Sequence, residues 1–131
     1  MSHKKLDVPA VIVNPQWAVW SPDGQEIAMT DHTAPGECTL RVLHGTTLES
    51  LVAYKTDTMG GLDYMPDGMT IVYSALDDGR MQIFSIPRSG GTPRKLSDET
   101  ANLLHPRVSP DGRWIACTRM EIRHEIWRKK L

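Results

Sequence analysis

The sequence predicts an all-β protein made of three four-stranded β-propeller blades on a 44-residue repeat, half of a six-bladed propeller that homodimerisation completes. Three observations carry this expectation. The tripeptide Pro-Asp-Gly occurs at Pro22-Asp23-Gly24, Pro66-Asp67-Gly68 and Pro110-Asp111-Gly112, each copy 44 residues after the last. The residues that follow fall into register as well: Ile27, Ile71 and Ile115 share one column, and Thr30, Ser74 and Thr118 another. No long stretch carries the 3.6-residue apolar period of a helix, whereas short apolar runs separated by Gly, Pro, Asp and Asn recur throughout.

Taken in order, residues 16–21 and 26–30 flank the first Pro-Asp-Gly turn. Residues 38–43 follow the Pro35-Gly36 break, and residues 50–54 follow Gly45-Thr46-Thr47. Proline sets φ at the first turn position, aspartate accepts from nearby backbone N–H groups, and glycine tolerates the positive φ that returns the chain. The second unit repeats the pattern with strands at 62–65, 70–74, 81–86 and 93–96, the breaks being Asp77-Asp78-Gly79 and Ser89-Gly90-Gly91. The second strand of each unit is apolar at consecutive positions, as a strand covered on both faces should be. Four short strands per repeat, each small sheet buried between its neighbours, is the arithmetic of a propeller blade.

The third unit supplies strands near 106–108, 114–119 and 125–129 and then stops. The missing outer strand has a counterpart at the other end, where His3-Lys4-Lys5-Leu6 is similar to Pro93-Arg94-Lys95-Leu96. The expected organisation is therefore a single domain. Residues 1–15 form a strand that closes the last blade of a partner chain, 16–58 the first blade, 59–102 the second, and 103–131 a third blade lacking its fourth strand. Propellers close with about 4–8 blades, so three leave an open arc that a second copy fills. The expected joint pairs Lys4, Lys5, Leu6 and Val8 of one chain with the strand carrying Ile126 and Trp127 of the other.

The segments Trp20-Ser21-Pro22-Asp23-Gly24-Gln25-Glu26-Ile27-Ala28 and Val108-Ser109-Pro110-Asp111-Gly112-Arg113-Trp114-Ile115-Ala116 resemble the WD-like repeat of TolB-type β-propellers. The middle copy departs from the pattern, with Met65 in place of serine and Val72 in place of alanine. The resemblance spans nearly the whole chain and implies the fold. It leaves the activity open, because such blades occur in periplasmic Tol proteins, in the propellers of prolyl oligopeptidase-like enzymes and in some sugar lyases.

Composition narrows the partners. Fifteen Lys and Arg against sixteen Asp and Glu leave a formal charge of −1, with no broad positive field for nucleic acid or an anionic membrane. No apolar run reaches the ~20 residues of a membrane span, and the first residues lack the pattern of a secretory leader. The expected location is the cytoplasm. Cys38 and Cys117 form neither a disulfide framework nor a zinc-ligand pattern.

Candidate binding residues follow from the repeat. The innermost strands bring Trp17, Asp63 and Arg107 to a central funnel. The loops above it carry Asp31, His32, Asp77, Asp78, Asn102 and His105, together with the segment from Glu121 to His124. A tryptophan platform with both charge signs suits a peptide segment or a sugar, and the expected partner is a peptide or protein. No nucleophile elbow, phosphate loop or paired His motif appears, so no catalytic residue, cofactor or metal ligand is assigned. The leading expectation is a non-enzymatic interaction module acting as a homodimer. The alternatives are a lyase-like, metal-dependent carbohydrate-active enzyme using His32, His105 and His124, and an excised piece of a larger Tol-like propeller with no role of its own.

Overall fold

The computed structural model describes residues 11–121, 128 and 130, and all regular structure among them is β. Strands β1 (Pro15–Trp20), β2 (Glu26–Ala34), β3 (Glu37–His44) and β4 (Thr47–Tyr54) form one antiparallel sheet in chain order. Strands β5 (Leu62–Tyr64), β6 (Thr70–Asp77), β7 (Arg80–Pro87) and β8 (Arg94–Lys95) form a second, and β9 (Asn102–Val108) pairs with β10 (Ile115–Met120) in a third. The strand sought at 125–129 and the joint residues Lys4, Lys5, Leu6, Val8, Ile126 and Trp127 lie outside the described residues.

Two hairpins are tighter than the spacing suggested. Asp31, His32 and Asp77, expected on loops, lie on β2 and β6. The reason is local: Pro35 and Gly36 alone join β2 to β3, and Asp78 and Gly79 alone join β6 to β7. Asp78 and Gly79 have φ values of 48° and 78°. Positive φ at both central residues gives a turn whose twist matches that of paired strands, which lets the ladder continue to its tip.

The Pro-Asp-Gly turns lie where the repeat puts them, and their chemistry is resolved atom by atom. Ser21 Oγ donates to Asp23 Oδ1 at 2.6 Å and accepts from the Glu26 amide at 3.1 Å, while the Gln25 amide reaches the same aspartate oxygen at 3.0 Å. The third turn repeats this in Ser109, Asp111, Arg113 and Trp114 at 2.6, 3.0 and 3.0 Å. The serine hydrogen bond holds the Asp23 and Asp111 carboxyls below the usual range. In the middle turn Met65 has no hydroxyl, and among the described residues the Asp67 carboxylate keeps only the amide of Met69, at 2.9 Å.

The sheets pack in a row, the first on the second and the second on the third. Ala28, Leu40, Val42, Ile71, Tyr73 and Ile86 make up the centre of the core. Tyr73 stacks on Phe84 with centroids 5.7 Å apart and shares a 2.7 Å hydroxyl contact with Tyr54 of the first sheet. Burying whole strands on both faces requires that the polar side chains between sheets find partners. They do: Ser74 Oγ donates to the Leu103 carbonyl, and Gln82 Nε2 donates to the carbonyls of Glu99 and Ala101 at 3.0 and 3.1 Å. Among the described residues, the two ends of the row differ from its middle. β10 is exposed along its length, and Trp20 and Trp114 are 58% and 73% exposed.

Candidate functional site

The innermost strands β1, β5 and β9 converge on a cleft of about 110 Å³ lined by Trp17, Val19, Gly61, Leu62, His105, Pro106 and Arg107. Its centre is a segment that all three sheets hold. From the first sheet, the Trp17 indole Nε1–H donates to the Met59 carbonyl at 3.1 Å. From the second, the Gly60 amide donates to the Ser74 carbonyl at 2.9 Å, and from the third, the His105 amide donates to the Gly60 carbonyl at 2.6 Å.

This convergence has a conformational cost. His105 has a φ of 54°, in the left-handed region that a residue with a β-carbon rarely adopts. Strain of this kind, of order 1–3 kcal/mol, persists where the surroundings over-determine the backbone and concentrates at functional sites. Gly61, with φ 101°, passes close beneath: a β-carbon there would lie 3.3 Å from His105 Cα. The Trp17 and His105 rings consequently meet with centroids 5.1 Å apart and planes inclined at 57°. Arg107 lies two residues further along β9 at the cleft wall, its side chain making no hydrogen bond or ion pair among the described residues.

Of the five funnel candidates, the structure gathers Trp17, His105 and Arg107. Asp63 is occupied elsewhere: one carboxylate oxygen accepts from the Tyr64 amide at 2.9 Å and the other from the Val108 amide at 2.9 Å, joining β5 to β9. His32 sits at the far end of β2, where its amide donates to the Asn14 carbonyl at 3.0 Å. Its Nε2 lies 3.3 Å from Asp57 Oδ1 but out of line for a hydrogen bond. Asp31, expected on the rim, is buried; it accepts from the Asn14 amide at 2.7 Å and from Arg41 Nη1 at 2.8 Å. Burial pushes its carboxyl up, yet the hydrogen bonds from Asn14, Arg41 and Val13 outweigh this and leave it below the usual range. Sequence reasoning missed Gly60 and Gly61, whose adjacency ahead of an inner strand was the available signal of close backbone approach.

Among the described residues no three His, Cys, Asp or Glu side chains gather around a possible metal position, and His124 lies outside those residues. Cys38 is buried and Cys117 exposed, both as free thiols, and burial pushes the Cys38 thiol up. Among the described residues no helix is long and apolar enough to cross a membrane.

No family model matches the chain. It is 28% identical over 114 residues to YuxL, an uncharacterised peptidase of Bacillus subtilis, a match covering 87% of this chain and 16% of the relative. The chain spans less than half the length of the curated relatives it matches. Among solved structures it is similar to TolB from Agrobacterium tumefaciens, with a TM-score of 0.63 and 28% identity over 75% of this chain and 35% of that one. It is also similar to TolB from Acinetobacter baumannii, with a TM-score of 0.65 and 19% identity over 79% of this chain and 25% of that one. The antiparallel sheets, the repeated turn and these likenesses agree: the chain has a TolB-type, propeller-like fold.

Proposed function

We propose that the chain is a non-enzymatic propeller module of three blades, closes a six-bladed ring as a homodimer, and offers its inner cleft to a peptide or protein ligand. The observation that carries this reading is the state of the two ends of the row. Among the described residues the first sheet exposes Trp20, and the third exposes Trp114, Ile115 and Met120 along β10, which pairs there with β9 alone. A groove of about 240 Å³ between the second and third sheets is lined by Val72, Ser85, Leu96, Trp114 and Ile115. Exposed aromatic surface favours association, and a blade-like sheet of a second copy is the surface of matching shape. The free thiols of Cys38 and Cys117 suit a reducing compartment such as the cytoplasm.

Light scattering on a sizing column tests the ring. The expected result is a mass of about twice 14.7 kDa that persists on dilution, falling to monomer or aggregate when residues 1–8 are deleted or Trp127→Asp is introduced. A folded 14.7 kDa monomer would overturn the homodimer.

A further inference from the structure

We infer that the cleft at Trp17, His105 and Arg107 is a carboxylate-binding site, with Arg107 as the anion anchor and the Trp17–His105 ring pair as the platform beside it. The inference deepens the module reading above and rests on it, although every cleft residue belongs to one chain. Three features of the cleft point to this chemistry. The first is charge. Arg107 is exposed at the cleft and its side chain unpaired among the described residues, while both oxygens of Asp63, the central residue of β5, already hold the Tyr64 and Val108 amides. A guanidinium presents its donors as a planar fork that fits a carboxylate with two parallel hydrogen bonds.

The second is preorganisation. The Trp17 ring is pinned by Met59 and the His105 backbone by Gly60, so a ligand that lies against them orders little that is not already ordered. The third is size and polarity. At about 110 Å³, with Val19, Leu62 and Pro106 on its walls, the cleft has room for one carboxylate and a short branched apolar group. Two sources supply such a group: the C-terminal residue of a peptide, or a free small carboxylic acid.

The test is an NMR titration of the full-length chain, following the Trp17 indole N–H resonance, which is assigned by its loss in Trp17→Phe. The probes are acetyl-Ala-Leu with a free carboxylate, the same dipeptide as its C-terminal amide, and isobutyrate. The free acid shifts the Trp17 resonance, and the amide binds about ten- to hundredfold more weakly, the worth of a charge-assisted hydrogen-bond pair. Arg107→Gln causes the same loss at an unchanged thermal midpoint, and Arg107→Lys restores part of it. Isobutyrate matching the dipeptide identifies a small acid as the source; a shift with the dipeptide alone identifies a peptide terminus. Either supports the site. Equal binding of acid and amide, undiminished binding to Arg107→Gln, or no shift at millimolar concentrations of any probe would overturn it. Molar mass measured on the same samples separates failure of the site from failure of the dimer.

Discussion

Gly60 sits so close to Ser74 that a β-carbon on the glycine would lie 2.6 Å from the serine Oγ, and equally close to Leu104 Cδ2. The same serine donates its hydroxyl to the Leu103 carbonyl, so it is not free to rotate away. This contact sets how deeply the segment ahead of β5 can settle between its neighbours, and hence where the Met59 and Gly60 carbonyls meet Trp17 and His105.

Gly60→Ala is accordingly expected to overpack the junction of the three sheets. Overpacking of this kind costs about 1–3 kcal/mol, which a denaturant titration will show as a lowered midpoint at unchanged slope. Because the shifted segment carries the acceptor of the Trp17 indole, the Trp17 N–H resonance must move as well. A variant of wild-type stability with an unmoved resonance would contradict this account of the cleft.

The parts of this architecture that were legible in the sequence are those decided by neighbours along the chain. Pro22-Asp23-Gly24 and its two copies specify a turn by themselves, and even the weaker middle copy was visible as Met65 in place of serine. The all-β class followed from those turns and from consecutive apolar residues such as Ile71, Val72 and Tyr73, which are indeed buried. The repeat put Trp17 and Arg107 on neighbouring inner strands, and they line one cleft together with His105. What could not be read was set by tertiary contact. Asp31 looks like any loop aspartate until Arg41 on the adjacent strand and the amides of Val13 and Asn14 surround it. The left-handed backbone of His105 depends on Gly60 and Gly61, distant in sequence and uninformative without the fold.

Glu26 is the hub of the contact between the first two sheets. Arg88 Nη2 donates to it at 2.8 Å, Tyr64 donates its hydroxyl at 3.0 Å, and Arg88 also reaches Glu49 at 3.1 Å. The Arg88 hydrogen bond holds the Glu26 carboxyl below its ordinary value. A carboxyl depressed in the folded state stabilises fully above its unfolded pKa, near 4.5, and loses that contribution as pH falls through the folded value. Glu26→Gln is expected to cost about 1–3 kcal/mol at neutral pH. Below about pH 4.5 its stability should fall less steeply than that of the wild type, measured by urea unfolding across the acid range. Parallel pH curves for the two proteins would remove Glu26 from this role.

Tyr73 is fully buried, and its hydroxyl meets that of Tyr54 at 2.7 Å across the first and second sheets. Burial, reinforced by the hydrogen bond to Tyr54, pushes the Tyr73 phenol well above its ordinary range. Tyr73→Phe keeps the stack on Phe84 and removes one hydrogen bond, with an expected loss of about 1 kcal/mol. Tyr73→Ala removes the ring as well and should cost about 3–5 kcal/mol. Thermal unfolding of the pair distinguishes hydroxyl from ring; equal losses would mean that the hydrogen bond, not the packing, holds this part of the core.

Asp31 is fully buried and Arg41 is 14% exposed, and together they clamp the entry of the chain onto the first sheet. Asp31 takes the Val13 and Asn14 amides, and Arg41 donates to the Val11 carbonyl at 2.9 Å. Removing only the charge of Asp31 strands Arg41 among half-buried groups, a change that costs about 3–5 kcal/mol when a buried pair is broken from one side. Asp31→Asn should therefore lower the unfolding midpoint strongly and admit protease cleavage near residues 11–14, where limited digestion with mass spectrometry reads the new cut. Replacing both partners, Asp31→Leu with Arg41→Met, leaves no unpaired charge and should recover much of the stability while the protease site stays open, because the backbone amides still lack their acceptor. If the double variant recovers stability and also protects residues 11–14, the clamp is not what holds them.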